Sequence, residues 1–247
     1  MKILALDTST EACSAALLAG EAGDPSAWRV RYEEAPRGHA ELILPMIDAL
    51  LDEAGLALHE LDAIAFGRGP GSFTGVRLAA SVVQGLAFGA QVPVVPISTL
   101  AAVALRVRRA APDATHVLVC NDARMDEVYT CAFDDAARAL TDERVQAPEQ
   151  VVIPSLADSA DSADSVRDEP RWIGAGRGFR AYPLLRALVP HTQIFDDLLP
   201  RAEEILALAV TEVTAGRVLP ATAALPIYVR NEVAIVPPAP RGAFPAI

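Results

Sequence analysis

A strand that runs straight into a glycine-rich turn and then into an apolar helix sets the terms for this chain. The strand expected at 63–66 feeds Gly67-Arg68-Gly69-Pro70-Gly71-Ser72-Phe73-Thr74-Gly75, and a helix over 76–88 follows at once. Such a unit needs a sheet to carry it and helices to cover that sheet. The flanking pattern supplies both. An apolar run up to Asp7, the hinge Thr8-Ser9-Thr10 and a second run over 12–18 read as a hairpin, with a third strand at 28–33. Leu42, Ile43, Met46, Ile47, Leu50, Leu51 and Ala54 recur at helical spacing over 39–54, and Gly55 closes that helix. A strand at 93–97 and a helix from Ser98 complete the first half. Beyond Pro112-Asp113 the strand pattern restarts at 115–121 and 127–133. The expectation is two similar α/β lobes around mixed sheets, 1–111 and 112–247, with a late helix over 201–215 returning against the structure and 225–230 extended. The Asp-Ser-Ala repeat of 158–165 has no apolar anchors, so a mobile insert is expected near 157–169, and the Pro-rich tail from Pro237 is expected to be loose.

Charge narrows the function. A formal net charge of -11 and a pI near 4.8 argue against a chain that grips nucleic acid by itself, because that binding rests on neutralising phosphates with a basic surface. Any link to RNA should run through a partner. Lys2 is the sole lysine, so a Walker-type loop is impossible, as is a Schiff-base lysine deep in the chain. Cys13, Cys120 and Cys131 form no C-x-x-C pair and read as small buried hydrophobes. The apolar runs look too short to cross a bilayer, and the N-terminal stretch meets Asp7 too early for a signal-peptide core. A cytoplasmic protein without membrane contact is expected.

Five segments, in order, carry a resemblance: I-L-A-L-D-T-S-T-E-A-C-S-A-A-L, G-R-G-P-G-S-F-T-G-V-R-L, P-V-V-P-I-S-T-L-A-A-V-A, N-D-A-R-M-D-E-V-Y and P-I-Y-V-R. Spanning residues 3 to 230, they resemble the bacterial TsaB family. The resemblance implies the actin-like ATPase (ASKHA) fold with two RNase H-like lobes. It also implies a role in making N6-threonylcarbamoyladenosine at position 37 of tRNAs that read codons beginning with A. There TsaD transfers the group, TsaE hydrolyses ATP, and TsaB is a non-catalytic scaffold paired directly with TsaD and reaching TsaE and tRNA through the complex.

The residues themselves test whether this copy looks catalytic. In TsaD-type enzymes an H-x-x-x-H pair on one helix supplies metal ligands. Here Ile43 stands four residues after His39, and His59, His116 and His191 are isolated, so no metal site is expected. The turn Asp7-Thr8-Ser9-Thr10 keeps the acid and hydroxyls of a nucleotide turn but has Ser9 in place of its glycine, and Asn121-Asp122-Ala123-Arg124 has no glycine. Asp7, Thr8 and Ser9 therefore read as a vestigial nucleotide turn, leaving room for weak ATP or ADP binding and no required cofactor. Gly174-Ala175-Gly176-Arg177-Gly178 reads as a tight loop or a remnant adenosine turn. Ser72 fails the nucleophile-elbow pattern because Pro70 stands where glycine is needed. The alternative class is an ATP-dependent phosphotransferase or hydrolase of the same fold.

The second helix is the more informative surface. Arg77 is its sole charge and Gln84 its sole amide, while Ser81, Gly85 and Gly89 form a row of small residues at i, i+4, i+8. A helix apolar nearly all round is either buried or meets another protein. The two first-lobe helices are thus expected to form or adjoin a partner face that includes Leu42, Met46, Leu50, Val82, Gly85 and Leu86. The same face could pair two copies of the chain when it is alone.

Overall fold

The computed structural model describes residues 1–35, 37–155, 171–189 and 193–229. The expected insert near 157–169, the tail from Pro237 and His191 lie outside them. The first sheet is built from β1 (Lys2–Asp7), β2 (Ala12–Ala19) and β3 (Trp28–Glu34) as an antiparallel meander, followed by α1 (His39–Ala54), β4 (Ala63–Gly69), α2 (Phe73–Ala90) and β5 (Val94–Ser98). Strands β1, β4 and β5 run parallel, and the order is β3-β2-β1-β4-β5. α3 (Thr99–Ala110) then leads to β6 (His116–Arg124), β7 (Glu127–Phe133), β8 (Arg144–Gln146), β9 (Trp172–Ala175), a short α4 (Gly178–Ala181), β10 (Ile194–Phe195) and α5 (Ala202–Thr214). The second sheet, β8-β7-β6-β9-β10, repeats the first in order and strand direction. These are the two RNase H-like lobes of the actin-like α/β fold.

Helices on both faces of the first sheet explain why its central strands are apolar without alternation. Leu4, Leu6, Ile64 and Phe66 meet Ile43, Ile47 and Leu50 of α1 and Ala79, Val83 and Ala87 of α2. On the other face Ile3, Ala5, Ala63 and Val95 meet Ala202, Ile205, Leu206 and Ala209 of α5, the last α-helix among the described residues, and Ala102 of α3. α3 is a wedge: its Leu100, Val103 and Val107 also pack on Val117, Val119 and Phe133 of the second sheet. Beyond that sheet, Leu118, Cys120 and Trp172 pack with Phe179, Leu185 and Val189. All three cysteines are buried and free, and burial pushes their thiols up to about 12, 12 and 11 in chain order.

Three details depart from the sequence pattern. α2 starts at Phe73 rather than Val76 because the Gly75 amide donates to Ser72 Oγ at 3.0 Å, a side-chain cap that turns the last third of the glycine-rich stretch into helix. Residues 225–229 make no strand; they are held by the Ile227 amide, which donates to the Arg68 carbonyl at 2.8 Å. α2 is also, by length and composition alone, long and apolar enough to cross a membrane, contrary to the expectation that no run is. Its inner face, including Val76, Ala79, Val83 and Ala87, is instead buried against the sheet.

Candidate functional site

Two surfaces qualify. The first is a cleft of about 650 Å³ between the lobes, floored by the β1–β2 turn and the glycine-rich loop and walled by Asn121–Arg124 and Tyr129 of the second lobe. Its floor is stitched shut from within. Thr8 Oγ1 donates to the Gly75 carbonyl at 2.7 Å, the Ser72 amide to the Ser9 carbonyl at 2.7 Å, and Thr99 Oγ1 to the Pro70 carbonyl at 2.6 Å. Gly75 is needed for this approach, since a Cβ there would overlap the Thr8 carbonyl oxygen. The glycines of the loop thus serve the packing of α2 onto the hairpin turn.

Asp7 does not open into this cleft; Thr8, Ser9 and Thr10 line it, and Asp7 lies beneath them with no exposed surface. Its Oδ2 accepts from Ser9 Oγ at 3.0 Å and from the Ser9 amide at 3.4 Å, while Oδ1 is buried without a hydrogen-bond partner against Gly67. Burial pushes the carboxyl up to about 7, against the opposing pull of the Ser9 hydrogen bonds. The Asp7 carboxyl and the hydroxyls of Thr8 and Ser9 are therefore engaged with the protein's own groups. His39 also reaches this turn: its Nε2–H donates to the Thr10 carbonyl at 2.9 Å. Ile43, one turn further along α1, is wholly buried in the core. Among the described residues no three His, Cys, Asp or Glu side chains gather where they could hold a metal.

Ion pairs centred on Glu11 and Glu34 tie the lobes beside the cleft. Arg124 meets Glu11 at 2.9 Å and Asp122 at 2.8 Å, and Arg177, from the glycine cluster after β9, meets Glu34 at 2.9 Å. Gly176 and Gly178 back directly onto the Cys120 carbonyl, so that cluster is a tight loop packed against β6. Behind the cleft, Glu143 joins Arg68 at 2.8 Å and also takes the Ser98 hydroxyl.

The second surface is the outer side of α1 and α2. Gly85 and Gly89 are exposed with open space above them, Ser81 is exposed on the same row, and Phe88 beside them is 73% exposed. Leu42, Met46, Val82 and Leu86 are half-buried, each with one side against the core. Leu50 is fully buried, so it belongs to the core and not to the surface; Leu44, 49% exposed, is the outward residue of α1 that the spacing did not single out. At the start of α2, Arg77 lies over the Phe73 ring, and its Nε donates to Tyr228 Oη at 2.6 Å. That three-residue contact was also not foreseen, although its members sit in two of the five segments that carried the resemblance.

Comparison with known proteins accords with this geometry. Residues 30–212 match the family model described as "TsaD: tRNA N6-adenosine threonylcarbamoyltransferase". The chain is 37% identical to the tRNA threonylcarbamoyladenosine biosynthesis protein TsaB of Escherichia coli, over 95% of this chain and 96% of that one. It is 40% identical to the protein of the same name from Haemophilus influenzae, over 94% and 95%. Among solved structures, YeaZ from Pseudomonas aeruginosa superposes with a TM-score of 0.76 at 43% identity, covering 92% of this chain and all of that one. A second Pseudomonas aeruginosa structure, described as an uncharacterized protein with similarity to peptidase YEAZ, gives 0.78 at 45% identity over 93% and 99%. Matched along nearly its whole length in sequence and in fold, the chain belongs to the TsaB (YeaZ) family, within the group described by the TsaD model.

Proposed function

We propose that this protein is a non-catalytic scaffold subunit that binds a TsaD-type transferase through α1 and α2, and so supports N6-threonylcarbamoylation of adenosine 37 in tRNAs reading ANN codons. It works in the cytoplasm and meets a TsaE-type ATPase and tRNA only through the complex. The observation that carries this reading is the outer row of α2, where Ser81, Gly85 and Gly89 lie bare beside an exposed Phe88. Small residues in a row let a second helix approach closely, and an exposed aromatic beside them supplies an anchor. The names of the full-length relatives place their proteins in threonylcarbamoyladenosine biosynthesis. Against independent ATP turnover stand the Thr8 hydroxyl bonded to Gly75 and the Asp7 carboxyl sealed below the cleft. A net charge of -11 supports indirect contact with tRNA.

The test is Gly85→Arg. With nothing within 4 Å of a Cβ at this position, the substitution leaves the free protein's fold intact. In a dry interface of the usual ~1,600 Å² it places an unpaired charge at the contact, which weakens binding by about 2 kcal/mol or more. Co-elution of the wild type with a TsaD-type chain, lost in the variant at an unchanged melting temperature, is the expected result. Undiminished binding by the variant would place the contact elsewhere. The same chromatography on the protein alone reports whether the face pairs two copies.

A further inference from the structure

The row of small residues on α2 continues toward the N-terminus of the helix through Arg77 to Phe73, at the same four-residue spacing, and all five positions are exposed. Arg77 is an unusual member. Its guanidinium carbon lies 3.4 Å from the centroid of the Phe73 ring and 5.3 Å from that of Tyr228, and the two rings stand 6.0 Å apart. Nε is engaged by Tyr228 Oη at 2.6 Å, and Tyr228 is itself placed by the Ile227–Arg68 backbone bond. Among the described residues Arg77 has no carboxylate partner, although the chain carries 32 acidic residues against 21 basic ones. Its two Nη nitrogens make no hydrogen bond or ion pair among the described residues.

From this we infer that Arg77 is a preorganised receptor for a carboxylate on the partner protein, and that Phe73 and Tyr228 form the aromatic rim of that contact. The inference rests on the docking role proposed for α2 and extends it from the small-residue row to the start of the helix. A guanidinium held over an aromatic ring and by a second hydrogen-bonding ring has lost much of its rotamer freedom before binding, so little more is lost when it takes a bidentate acid. Phe73 and Tyr228 are 49% and 46% exposed, enough to exclude water from the ion pair once a partner covers them. The partner surface that fits has an Asp or Glu at the Arg77 end and a close-packed small or apolar strip opposite Gly85 and Phe88.

The experiment measures binding of the purified wild-type protein to a TsaD-type chain from 50 to 500 mM salt, alongside Arg77→Gln, Arg77→Lys, Tyr228→Phe and Gly85→Arg. Arg77→Gln should weaken binding about 10- to 100-fold at low salt and flatten the salt dependence, with an unchanged melting temperature. Arg77→Lys should keep the salt slope but recover only part of the affinity, because a lysine keeps the charge without the planar fork. Tyr228→Phe, which frees Nε and keeps the ring, should give a smaller loss. Wild-type affinity and salt slope in Arg77→Gln, with binding abolished by Gly85→Arg, would overturn the carboxylate contact and leave the docking role standing. No binding by the wild type would overturn both.

Discussion

Raising the pH should destabilise this protein through one residue, Asp7. Its carboxyl is fully buried, has no ion-pair partner among the described residues, and is pushed from 3.8 up to about 7, chiefly by loss of hydration. The groups around it compensate only in part: Ser9 donates to one oxygen, Gly67 backs the other, and the Cys13 thiol is itself pushed up partly by Asp7. Because the folded pKa is the higher one, the folded state holds the proton more tightly than the unfolded state. The resulting stabilisation is complete below the unfolded value of 3.8 and is lost as pH rises through about 7. At 1.36 kcal/mol per unit the whole effect is on the order of 4 kcal/mol, and more than half of it falls between pH 5 and pH 8. For a chain of this length that is a fall in melting temperature of roughly 5–10 °C. Asp7→Asn removes the titration. Its amide has no acceptor at the Oδ1 position, so its absolute stability can be lower, but its urea midpoint should stay flat across the same window apart from changes shared with the wild type. The assay is urea unfolding of both proteins at pH 5, 6, 7 and 8, read as the difference between them at each pH. Parallel curves would refute the reasoning, since they would mean that Asp7 ionises in the folded protein as readily as in the unfolded chain.

Other outcomes follow from the packing. Gly75→Ala drives a methyl into the Thr8 carbonyl, a backbone atom that cannot swing aside, and should cost about 2–3 kcal/mol in a urea melt. Glu143→Ala leaves Arg68, only 20% exposed at its side chain, without its acid, and should destabilise by about 1–3 kcal/mol; hydrogen exchange should quicken first at the start of α3, where Ser98 loses its contact. The three cysteines should resist a thiol reagent at pH 7 until urea unfolds the chain, because burial holds their thiols near 12, 12 and 11; labelling at native conditions faster than unfolding would contradict that.

Much of this architecture is legible in the chain. Unbroken apolar strands such as Ile3–Leu6 and Ala63–Phe66 announce a sheet covered on both faces, and the restart after Pro112 announces a second one. Helical spacing also picks out α1, but it cannot say how far its apolar stripe is turned into the sheet. Leu50 and Leu44 are both apolar on that helix; the sheet's position makes one core and the other surface. The start of α2 was hidden because Ser72 sits among glycines that look like loop, and capping depends on a bond to Gly75 rather than on composition. Arg77 was visible as the lone charge of α2, yet its meeting with Tyr228 spans 151 residues and leaves no periodic trace. The burial of Asp7 is equally silent, since an acid at the end of a strand reads as cleft-facing until the glycine-rich loop folds over it.

The position of α5 bears on how the protein is made. The face of the first sheet formed by Ile3, Ala5, Ala63 and Val95 is covered by Ala202, Ile205, Leu206 and Ala209, and the Ala202 amide donates to Ser14 Oγ at 2.9 Å. All five strands of that sheet have left the ribosome roughly a hundred residues before the helix that covers them, an interval on the order of 5–20 s at ordinary rates of synthesis. During that time the nascent sheet has only α3, through Ala102, to lay on this face, and the apolar surface that α5 later covers stays bare. A chaperone that shields such a face should be found on translating chains until residues 202–214 have emerged from the ribosome, and released once α5 can dock.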